Sequence, residues 1–172
     1  MFRTKFVNRP MLSAYLAIAA LQAGSVAAEA TDAAFYDAAL CNPPYSLDAA
    51  TVLYEAAEKL AKPDTSGLGA AIYKLPYQIG RDGFESDEVL FAGSAVGVLI
   101  EGQRAHELAA KYGLSPETND LMGTSSKGYA RQLASALQPA EGLAGPGKVF
   151  IVAREGNALN GKTLLACEFI AD

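Results

Sequence analysis

The chain has 172 residues, 51% of them apolar and 19% charged, with 14 basic residues, 19 acidic ones and a single histidine. Such a composition supports a packed core and excludes a disordered chain. The net charge of −5 argues against nucleic acid as a partner, because a phosphate backbone repels an acidic surface.

Residues 1–10 carry Arg3, Lys5 and Arg9 without an acid, and the apolar run MLSAYLAIAALQAG and then SVAAEA follow. A basic start, a short apolar centre and small residues at the cut predict a secretory signal peptide over 1–28, cleaved after Ala28 or Ala30. The run is short of the roughly 20 residues a membrane-spanning helix needs, so no membrane insertion is expected after cleavage. Cutting after Ala28 leaves 19 acidic against 11 basic residues, a net charge of −8, on one domain spanning 29–172. The expected location is the periplasm or the exterior.

The alanine-rich stretch 30–40 predicts a short helix, and Pro43-Pro44 breaks it, since neither proline can donate a backbone hydrogen bond. Ser46 is the N-cap expected for the next helix, which runs to Lys62. There Ala49, Val52, Leu53, Ala56, Ala57 and Leu60 recur at helical spacing, and Pro63 ends the pattern. Residues 70–80 change to a period of two. Tyr73, Leu75, Tyr77 and Ile79 fall on one face of a strand, and Pro76 marks an edge. Asp82-Gly83 signals a hairpin, and DEVLFA (87–92) and AVGVLIEG (95–102) read as strands around Gly93-Ser94. A helix is predicted over 103–112 with Gly113 closing it, a loop over 114–126 and a further helix over 127–138. A glycine- and proline-rich connector (139–147) leads to two strands, 148–154 and 162–170, with Asn160-Gly161 as a turn. Two or three helices beside about five strands predict an α+β fold with a mainly antiparallel sheet.

The two cysteines, Cys41 and Cys167, are predicted to pair, because disulfides persist outside the cytoplasm. The bridge closes a loop of over 120 residues, for which the chain-entropy model gives about 5 kcal/mol, and ties the start of the fold to its last strand.

Catalytic templates fail on spacing. GSAVG (93–97) places Ser94 directly after its glycine, which is not the G-x-S-x-G elbow, and GTSSKG (123–128) has its lysine before the glycine and too short a span for a phosphate loop. DGFESDE (82–88) puts Phe84 where a calcium ligand belongs. His106 lies away from the apolar stripe of its predicted helix, with no nucleophile indicated beside it. No cofactor and no metal ligand set are expected.

What remains is binding. Tyr73 and Tyr77 could form an amphipathic platform, and Asp82, Glu85, Asp87 and Glu88 an acidic interaction patch. The expected function is an exported protein that binds another protein, as an inhibitor or immunity-type protein does, without catalysis. The alternatives are a small hydrolase using scattered acids or His106, and a small-molecule binding module.

Overall fold

The computed structural model describes residues 33–117, 127–138 and 146–171. The predicted signal peptide, most of the predicted loop 114–126 and most of the connector 139–147 lie outside these residues.

Residues 33–39 form helix α1, with Phe35, Tyr36 and Ala39 fully buried. After the prolines comes α2, Leu47–Leu60. Ser46 caps it as predicted: its extended backbone turns the side-chain oxygen to accept a hydrogen bond from the Ala49 N–H at 3.2 Å. Asp48 lies in the first turn and Lys59 in the last, each complementing the helix dipole. The third helix, α3, is Ala105–Tyr112, closed by Gly113 in the left-handed conformation (φ 65°).

Eight strands make one antiparallel sheet. They are β1 (Pro63–Asp64), β2 (Ala71–Arg81), β3 (Phe84–Ala92), β4 (Ala95–Glu101), β5 (Ser115–Pro116), β6 (Lys127–Gln132), β7 (Gly147–Glu155) and β8 (Lys162–Ala171). The order across the sheet is β1-β2-β3-β4-β8-β7-β6-β5. Two four-strand meanders, β1–β4 and β5–β8, thus meet along their last strands, and a helix precedes each: α2 the first, α3 the second. The architecture is the predicted α+β.

The β2–β3 hairpin turns through Asp82 (φ 59°) and Gly83 (φ 86°), two consecutive left-handed residues of the kind a tight hairpin requires. Further along, Lys74 pairs with Glu88 but Ile79 pairs with Ser86, so the ladder is broken by a bulge. Pro76 falls in that bulge, where no ladder hydrogen bond is asked of it. The irregularity also shifts the alternation by one residue, which lets Phe84 reach the same core as Val89 and Phe91.

The larger core lies between the sheet and the helices. Tyr73, Leu75 and Ile79 are buried there as their spacing predicts, and Tyr54, Tyr73 and Phe91 meet edge-on with ring centres 5.5–5.9 Å apart. A smaller cluster, including Leu90, Leu99, Val152, Leu164 and Ala166, fills the opposite sheet face. Cys41, just past α1, is bonded to Cys167 in β8, with Cα atoms 4.9 Å apart.

The helix predicted over 127–138 is corrected. Its first half is strand β6, paired with β7 over the six residues Lys127–Gln132, and only a single 3-10 turn, Ser135–Leu137, follows. Pairing to a central ladder outweighs the local helix preference of its alanine, glutamine and leucine residues.

Candidate functional site

The predicted acidic patch does not form as a unit, because its members have different partners. Asp82 is docked onto α3: its carboxylate accepts a hydrogen bond from the Tyr112 hydroxyl at 3.2 Å and pairs with Lys111 at 3.2 Å. Asp87 faces Lys74 at 3.5 Å, and Glu88 accepts from Lys162 at 2.6 Å in a pair that is largely buried. Glu85 alone stays exposed with no ion pair among the described residues. The hairpin tip is therefore fastened to the body rather than projecting from it. Arg81, one residue before the turn, adds an ion pair to Asp37 of α1.

The predicted tyrosine platform is divided too. Tyr73 is fully buried, so its ring offers no surface to a partner in this conformation. Burial raises the pKa of its hydroxyl well above the ordinary value. Tyr77 is half-buried and packs against the main core.

His106 is exposed on α3, with its ring Nδ1 3.4 Å from the Tyr129 hydroxyl. The acids near it in sequence are engaged elsewhere: Glu107 accepts two hydrogen bonds from Arg104, at 2.6 and 3.1 Å, and Glu101 pairs with Lys162 at 3.3 Å. The guanidinium holds the Glu107 carboxyl below its ordinary pKa. The buried carboxylate of Glu155 accepts from the Ala105 N–H at 3.2 Å and so caps the start of α3. Among the described residues no nucleophile or orienting acid converges on the imidazole. Among the described residues no group of three or more His, Cys, Asp or Glu is placed to hold a metal ion, and no helix is long and apolar enough to cross a membrane.

A surface that sequence reasoning passed over lies on α2. Only Ala57 of its fourteen residues is fully buried. Val52 is 66% exposed and Leu47 51%. The apolar arc of the helix is wider than the strip that β2 and β3 cover, and the excess borders a groove of about 370 Å³ shared with α1. Ala33, Ala34, Pro43, Ala49, Val52 and Leu53 line it. Asp48 and Glu55, four residues before Val52 and three after it, share its helix face, as does Lys59 one helical repeat on. The signal was available in the sequence: Val52 belongs to the helical stripe, but periodicity alone does not say which part of a stripe the sheet covers.

No protein family, no curated protein and no solved structure matches this chain.

Proposed function

We propose that this protein is an exported, non-catalytic binding protein that recognises another protein through the groove between α1 and α2, in the manner of an inhibitor or immunity-type protein. The observation that carries this reading is the exposed valine of α2. A 66% exposed Val52 at the edge of an apolar groove is surface that a partner would remove from water, at about 25 cal/mol per Å². Asp48 and Glu55 beside it favour a partner segment that is apolar at its centre and basic at its edge. The leader-like N-terminal sequence and the disulfide support a periplasmic or extracellular setting, where thiols are not kept reduced.

The test is capture from periplasmic and culture-supernatant extracts with the oxidised chain, run in parallel with Val52→Asp. A protein retained in equal amount by the wild type and lost from the variant supports the reading. A partner held equally by both, or no partner at all, defeats it.

A further inference from the structure

On the sheet face opposite the helices, a cleft of about 340 Å³ lies between the 65–70 loop, β2–β4 and the start of β8. Its volume falls in the range of small-molecule sites, about 300–1,000 Å³. Ile72, Leu99 and Leu159 supply apolar lining, and all three belong to or pack on the smaller core cluster. Three ammonium groups border it, from Lys62, Lys74 and Lys162, in a chain whose net charge is −5.

The three lysines differ in how far they are already satisfied. Lys162 is bound to Glu88 at 2.6 Å and to Glu101 at 3.3 Å, and those carboxylates keep it charged despite its burial. Lys74 has only a 3.5 Å approach to Asp87, with its side chain 72% exposed, a screened contact of small worth. Lys62 has no carboxylate partner among the described residues. Of the acids at the cleft, Glu88 is taken by Lys162, and Asp64 is turned onto Ser66, whose hydroxyl and whose N–H at 2.8 Å hold its pKa down and keep it anionic. Lys62, and Lys74 with its weak contact to Asp87, are thus the cations an external anion can engage.

The loop supplies a second observation. Leu68 borders the cleft with φ 58°, followed by Gly69 with φ 60°. Leucine is disfavoured in that left-handed region because its Cβ crowds the backbone, whereas glycine is not. The strain holds an apolar side chain, 38% exposed, beside the cleft.

We propose that this cleft is a binding site for a small amphipathic anion, its apolar body on Ile72, Leu99, Leu159 and Leu68 and its one anionic group between Lys62 and Lys74. The site is independent of the α1–α2 groove and does not depend on a protein partner.

The probe is 8-anilino-1-naphthalenesulfonate, titrated by fluorescence against the oxidised folded chain. N-phenyl-1-naphthylamine, the same ring system without the sulfonate, is the neutral control. Expected are one saturable site per chain, tighter binding of the sulfonate than of the neutral ring, and weaker binding as salt rises. Replacing both lysines (Lys62→Glu with Lys74→Glu) should weaken the sulfonate about tenfold or more, and Val52→Asp should leave it unchanged. If the double reversal disturbs the fold, Lys62→Gln with Lys74→Gln takes its place, with a smaller loss in the same direction. The proposal is overturned by absence of saturable binding, by equal binding of the neutral ring, by indifference to the lysine changes, or by loss of binding in Val52→Asp.

Discussion

Arg154 of β7 grips Glu117, just beyond β5, with two hydrogen bonds of 2.8 Å, one from Nε and one from Nη2, while its Nη1 donates to Glu168 of β8 at 2.6 Å. The guanidinium is nearly buried. Burial works against its charge, and the two carboxylates more than offset that, raising its pKa. Arg154→Ala removes the shared partner and leaves two carboxylates facing each other. The expected loss is about 3–5 kcal/mol in urea unfolding, because an uncompensated buried charge is costly. A loss under about 1 kcal/mol would show that water reaches the cluster and screens it.

The Cys41–Cys167 bridge spans a sequence separation of 126 residues. Intact mass of the purified chain should be two hydrogens below the reduced formula, and neither thiol should alkylate before reduction. Cys41→Ser with Cys167→Ser should lower stability by about 2–5 kcal/mol, since the bridge removes freedom from the unfolded chain. Alkylation of both thiols without reductant would contradict the pairing.

Alkaline pH should unfold the protein through its tyrosines. Burial raises the pKa of Tyr36, Tyr45, Tyr73 and Tyr112 above the ordinary value of 10. The folded state therefore holds these protons more tightly than the unfolded one, so their stabilising contribution is complete below pH 10 and declines as pH climbs past it. Absorbance at 295 nm should show this set ionising only together with the loss of near-UV circular dichroism. A single smooth titration of every tyrosine with the fold intact would contradict the burial of Tyr36 and Tyr73.

His106→Ala should change neither binding nor stability by more than about 0.5 kcal/mol, the range usual for surface substitutions. The ring is exposed, and its one hydrogen-bond contact is the 3.4 Å approach to Tyr129. A loss of function with unchanged unfolding would move the protein to the catalytic class.

Where residues act through local periodicity, the sequence is readable. Ser46, the stripe of α2, the Tyr73–Ile79 alternation and the Asp82-Gly83 turn each encode their conformation within a few residues. Strand β6 does not. Its residues are exposed or half-buried on both faces, so no period of two is written into KGYARQ. Gly128 serves close approach instead: a Cβ there would run into the carboxylate of Glu117. Gly97 is similar. It lets β4 lie against β8, where a Cβ would come within 2.7 Å of the Leu165 carbonyl oxygen. The lysine cleft draws on the end of α2, on β2 and on β8, and the arginine cluster on residues 37 and 14 positions apart. Such sites depend on strand order, which no local pattern carries. The exposed shoulder of α2 was hidden for the same reason, since exposure depends on where the sheet ends.

Strand β8 is the last of the eight described strands in chain order, yet it lies in the middle of the sheet between β4 and β7. A growing or translocating chain therefore holds two meanders with nothing to join them, and each presents an open edge until β8 arrives. Val96 and Ile151, which flank Cys167 on either side, belong to those two edges. Loss of Lys162–Ala171 would not trim the protein but divide it, exposing two sticky edges at once. Chaperone protection of the nascent chain, and rapid proteolysis of truncated copies, follow from that order of assembly.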